Sequence, residues 1–87
     1  MDKIVESFKK INSVSTLKTF ITQFNLEETS RHNDDAKYGG VINGSRIVLE
    51  EHSWDPSQVF SLQKDQYSVS LLINDKKECV VRFTADV

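Results

Sequence analysis

The residues of this chain best suited to chemistry are two histidines, each close to carboxylates. His32 has Asp34 and Asp35 just after it, and His52 follows Glu50 and Glu51, with Asp55 just beyond. A histidine beside carboxylates suits metal binding or acid–base work. Zinc and related ions require three or four convergent ligands, and each histidine has only neighbouring carboxylates for company. Acid–base catalysis needs two groups whose surroundings push their pKa values apart, usually by burying one. The carboxylate clusters Glu27-Glu28, Asp34-Asp35 and Glu50-Glu51 read as loop or strand-end residues in solvent. Both histidines are therefore expected at the surface, with no metal site and no cofactor.

The remaining nucleophiles point the same way. Cys79 alternates with Val81 and Phe83, which places it on the inward side of a strand, where a thiol behaves as a small apolar group. The serines lie in neither a G-x-S-x-G elbow nor a Ser-x-x-Lys pattern. The three glycines, Gly39, Gly40 and Gly44, form no phosphate-cradling motif. No catalytic set emerges, and the chain is expected not to be an enzyme.

Composition narrows the partners. At 87 residues the chain is long enough for one domain, taken as 1–87, with one thin core. Its 38% hydrophobic and 28% charged residues are those of a globular protein. The net charge is −2 and no basic run exceeds Lys9-Lys10 or Lys76-Lys77, so a footprint for nucleic acid is missing. No apolar run approaches the roughly 18–20 residues of a membrane span. Residues 1–12 lack the apolar stretch of a secretory signal. A lone cysteine gives no internal disulfide, and Asn43-Gly44-Ser45 reads as a chance glycosylation sequon. A cytoplasmic location is the expectation that follows.

Hydrophobic period then sets the elements. Ile4, Val5, Phe8 and Ile11 recur at spacings of three and four, which predicts a helix over about 2–11 with Asp2 as its cap. Leu17, Phe20, Ile21 and Phe24 predict a second helix over about 15–25, capped by Ser15 and stopped at Asn25. Residues 27–36 are polar without period and read as a loop. A β-meander is expected over 37–85. Asn43-Gly44 is the strongest hairpin signal, joining a strand near Tyr38–Ile42 to one near Ser45–Glu51 with Ile47 and Leu49 inward. Residues 52–56 read as a break. Residues 58–63 read as a strand that turns at Lys64-Asp65 and pairs with Tyr67–Ile73, Phe60 facing Val69; a short helix over 56–63 is the alternative. Matching Tyr67–Ile73 to the last strand demands an odd connection. A loop of three or five residues around Asp75-Lys76-Lys77 supplies it, setting Ile73 opposite Cys79 and Leu71 opposite Val81.

These stripes are all satisfied by an α+β fold in which two N-terminal helices pack on one face of a meander of four or five strands. Val48, Leu72 and Val80 interrupt an otherwise polar outer face. With the apolar residues used in the core, function is expected to reside in docking. Trp54 stands among acidic residues, and tryptophan is favoured where interfaces concentrate their energy. The candidate contact residues are Trp54, Glu50, Glu51, His52, Asp55, Asp34 and Asp35. The expected role is that of a small inhibitor or neutraliser, in the manner of immunity proteins, antitoxins and phage anti-defence proteins. Its partner would be another protein, such as a basic toxin or nuclease, with neither nucleic acid nor membrane. The alternative is a structural or adaptor subunit, monomeric or paired through the outer sheet face.

Overall fold

The apolar spacing of the first 25 residues yields two helices, α1 (Asp2–Lys9) and α2 (Val14–Gln23), in a computed structural model that describes residues 2–32, 34–54 and 66–84. Asp2 is the first residue of α1 and not the residue before it. The cap of α2 is Ser13, two residues earlier than the pattern predicts. Its hydroxyl accepts from the Thr16 amide at 3.1 Å while the Thr16 hydroxyl accepts from the Ser13 amide at 3.0 Å, a reciprocal box that Ser15 could not form. Asn25 ends the helix as predicted. It takes φ 53°, its amide donates to Thr22 O, and the Leu26 amide donates to Ile21 O. This turn satisfies orphan carbonyls and delivers Leu26 into the core.

Five antiparallel strands follow, β1 (Glu27–His32), β2 (Asp35–Ile42), β3 (Ser45–Trp54), β4 (Gln66–Ile73) and β5 (Lys76–Thr84), ordered in the sheet as in the chain. The α+β expectation of two helices on a five-stranded meander is met. Ile4, Phe8 and Ile11 of the first helical segment and Leu17 and Phe20 of α2 cover Ile47, Leu49, Val69, Leu71 and Phe83. Phe8 and Phe20 meet edge to face at 5.8 Å, and Tyr67 stacks on Phe83 at 5.1 Å.

Four expectations require correction. Residues 27–36 do not form a loop: β1 and the start of β2 lie there. All six β1 residues are exposed, so the strand is held by backbone pairing with β2 and leaves no apolar period to detect. The expected break at 52–56 is not seen at its start, because β3 continues through Trp54 opposite Gln66. Both edges of β4 are occupied, by β3 and β5, which excludes the expected hairpin of 58–63 with Tyr67–Ile73. Residues 55–65, with Phe60, Leu62 and the Lys64-Asp65 turn, lie outside the described residues.

The fourth correction concerns the last hairpin. Its turn has two residues, Asn74 and Asp75, both at positive φ (51° and 68°), a conformation their short polar side chains tolerate. Parity is restored within β5, where the register shifts so that Leu72 faces Lys77 and Leu71 faces Cys79. Glu78 is the residue absorbed by this bulge. Val69 thus meets Val81 and Tyr67 meets Phe83, and the inward face of β5 is kept. The preceding hairpin matches its prediction: Asn43 (φ 50°) and Gly44 (φ 79°) join Ile42 to Ser45.

Gly44→Ala places a Cβ in open space but at positive φ, so it should cost about 1 kcal/mol, measurable by urea unfolding. Deleting Glu78 should straighten β5 while preserving the Val69–Val81 and Tyr67–Phe83 pairs. Cross-strand NOEs between those residues and stability within about 1 kcal/mol of the parent are expected. An unfolded deletion variant would show that Glu78 does more than occupy the bulge.

Candidate functional site

Pairing of β2 with β3 brings together two acidic clusters that are well separated in sequence. Asp35 stands opposite His52, Ala36 opposite Glu51 and Lys37 opposite Glu50. The Ser53 amide and hydroxyl both donate to the Asp34 carbonyl, at 2.9 and 3.1 Å. Trp54 closes β3 one residue further on. Six of the seven candidate contact residues therefore gather at one end of the β2–β3 pair, while Asp55 lies outside the described residues. Asp35, Glu50 and Glu51 occupy strands and not loops, so strand alternation aims each of them, while Asp34 lies in the turn just before β2.

Alternation divides the cluster between two faces. Paired residues share a side of the sheet, so Asp35, Lys37, Glu50 and His52 project from the outer face, away from the helices. On that face Lys37 Nζ lies 3.5 Å from Glu50 Oε2, and His52 Nδ1 contacts Asp35 Oδ1. A cross-strand row runs His32, Asp35, His52, Ser68, Arg82. Its Asp-His-Ser order resembles a hydrolase triad, but a serine nucleophile also needs donors preorganised for an oxyanion. The backbone N–H groups along this row belong to an antiparallel ladder on an open sheet face. Among the described residues, no three His, Cys, Asp or Glu side chains converge as metal ligands.

Glu51, opposite the buried Ala36, faces the helical side, and its surroundings escape a sequence reading that takes 27–36 for a loop. Arg31 of β1 donates from Nε to Glu28 Oε1 at 2.7 Å and from Nη2 to the Tyr38 hydroxyl at 2.9 Å. Glu51 is half-buried beside this group. Burial pushes its carboxyl above the ordinary range, while Arg31, and more weakly Lys18 of α2, pull it down. Tyr38 is raised for the same first reason, burial, with the Glu51 charge adding to it. The result is a small polar ledge of Glu28, Arg31, Tyr38 and Glu51 suited to hydrogen bonding.

No family model, curated protein or solved structure matches this chain. A shallow depression of about 230 Å³ at the strand end is bordered by Asp35, Lys37, Glu50, Glu51 and His52. The larger depression, about 810 Å³, runs along α2, and Lys18 is its only ionisable side chain among the described residues. Charge and concavity thus coincide only weakly. Cys79 is half-buried, and burial raises its thiol pKa, in keeping with a packing role. Among the described residues, no helix is long and apolar enough to cross a membrane.

The Glu51 environment makes a pH prediction. Its folded pKa is raised, so the folded chain holds the proton more tightly than the unfolded chain, and stability falls as pH rises from the ordinary carboxylate range through the folded value. Glu51→Gln should remove that slope, raising Tm at neutral pH with little change in acid. Thermal melts across pH check it, and parallel curves for the two proteins would contradict it.

Proposed function

We propose that this chain is a non-enzymatic protein-binding module, a small inhibitor or neutraliser of the immunity-protein, antitoxin or phage anti-defence kind, that covers a partner's working surface. The observation that carries this reading is the β2–β3 register, which gathers Asp34, Asp35, Glu50, Glu51 and His52 at one strand end beside Trp54. Four carboxylates there, Asp34, Asp35, Glu50 and Glu51, are set against the cations Lys37 and Arg31, so the end offers acid to a basic partner. Such patches act mainly on association rate and specificity. Exposed ion pairs like Lys37–Glu50 add little to stability, so they can be exchanged for contacts with a partner at small cost. A basic toxin or nuclease is the partner class that best complements this surface.

A second reading, a structural or adaptor subunit paired through the outer sheet face, is favoured by a specific feature. Val48 lies directly opposite Leu72, and Val80, 37% exposed, is a diagonal neighbour on β5. Together they form a short apolar strip on the face that lies away from α1 and α2.

Affinity capture followed by calorimetric titration of the captured partner separates the two readings. Glu50→Lys and Trp54→Ala should each weaken binding about tenfold or more, and binding should weaken as salt rises. Leu72→Glu should leave it unchanged. If Leu72→Glu abolishes binding while Glu50→Lys and Trp54→Ala do not alter it, the apolar strip of Val48, Leu72 and Val80 is the working surface and the strand-end reading fails.

A further inference from the structure

β1 stands at one end of the sheet, and among the described residues no strand pairs with its outer edge. An edge of this kind presents unpaired N–H and C=O groups to another chain. The β1 sequence, Glu27-Glu28-Thr29-Ser30-Arg31-His32, runs from two acids through two hydroxyls to two bases. Antiparallel pairing of the segment with itself sets unlike charges against one another.

Face parity decides whether those charges meet. In an unbroken strand Glu28 and Arg31, three residues apart, would project to opposite sides. The register shift between Glu28 and Ser30 absorbs one residue, so Glu28 stands opposite Tyr38 and Arg31 opposite Ala36, both on the helix-facing side. Their 2.7 Å ion pair is the direct sign of this shared side. Glu27, opposite Gly39, and His32, opposite Asp35, take the outer side. A two-fold axis through the bulge, perpendicular to the sheet, then places Glu28 opposite Arg31 of a second copy and Glu27 opposite its His32. Each pair meets on its own face. The opposite edge lacks this property: β5 carries Lys76, Lys77 and Arg82 with Glu78 as its one acid, so self-pairing there crowds cations.

We infer that β1 pairs antiparallel with β1 of a second copy of this chain, joining the two sheets edge to edge, with Glu28 of each copy facing Arg31 of the other. An interface of one short strand buries far less than the roughly 800 Å² per partner of a standard complex. Association is therefore weak and concentration-dependent, and it is strengthened at low salt.

Sedimentation velocity from about 10 µM to about 1 mM tests it. The parent protein should rise from its monomer mass of 10.0 kDa toward twice that value. Glu28→Arg and Arg31→Glu, shown folded by circular dichroism, should each remain monomeric alone. Mixed in equal amounts they should associate again, because each copy then meets the opposite charge although the ion pair within each chain is broken. Should either variant fail to fold, Ser30→Cys in a Cys79→Ala background should form a disulfide-linked dimer on mild oxidation. A parent monomeric at every concentration, a mixture that does not associate, or an oxidised Ser30→Cys protein that stays monomeric would each overturn the pairing. Loss of association in Leu72→Glu would overturn it as well, by moving the contact to the outer face.

Discussion

The contact on which this molecule depends is the inward row of its central strand pair. Ile47, Leu49, Val69 and Leu71 are each 0% exposed, and Leu49 lies directly across from Leu71. Full burial of such side chains contributes about 2 kcal/mol apiece, a large part of the stability of so small a domain. A slip of one residue would turn the whole row to solvent. The register of β3 on β4 is thereby held, and β2 and β5 inherit it. Neither helix is long enough to persist alone; each is stabilised by laying its stripe on this row.

The same constraint aims the polar residues. Once Leu49 is inward, Glu50 and His52 must project outward and Glu51 inward. A run of three neighbours is thus distributed between two environments. The outward pair sits among exchangeable ion pairs, while Glu51 is partly withdrawn from water and feels the charge of Arg31 across the intervening β2. Among the described residues no second layer covers the outer face, which carries the charged rows near the β2–β3 end and the Val48–Leu72 strip further along.

Much of the fold was legible in the sequence, and the failures share a physical cause. Helical period located both helices, and Asn43-Gly44 located its hairpin, because each signal arises from burial or from backbone conformation alone. β1 was missed because an edge strand that buries nothing needs no apolar alternation. The inward alternation of β4 and β5 is legible, but the loop of three or five residues and the pairs Ile73–Cys79 and Leu71–Val81 are not what forms: a two-residue turn and a bulge set Leu71 against Cys79 and Val69 against Val81. Asn74 and Asp75 form a tight turn without glycine, helped by Asn74 Oδ1, which accepts from the Arg46 amide at 3.0 Å, and the compensating bulge at Glu78 leaves no mark in composition. For the site, the acidic clusters were visible as such, whereas their convergence depends on the β2–β3 register. The ledge around Glu51 could not be found until β1 was recognised as a strand. An acid and a base three residues apart, Glu28 and Arg31, shortly before Tyr38 are the only trace it leaves.

The central claim is that the helix-facing side is consumed by packing and that the molecule works through the β2–β3 end. Hydrogen exchange of the chain, free and saturated with its protein partner, measures this most directly. Slowed exchange confined to residues 34–38 and 48–54, with α1 and α2 unchanged, is the predicted result. Protection that appears instead along α2, around Ser15, Lys18 and Thr22, would contradict the account and move the working surface to the helical layer.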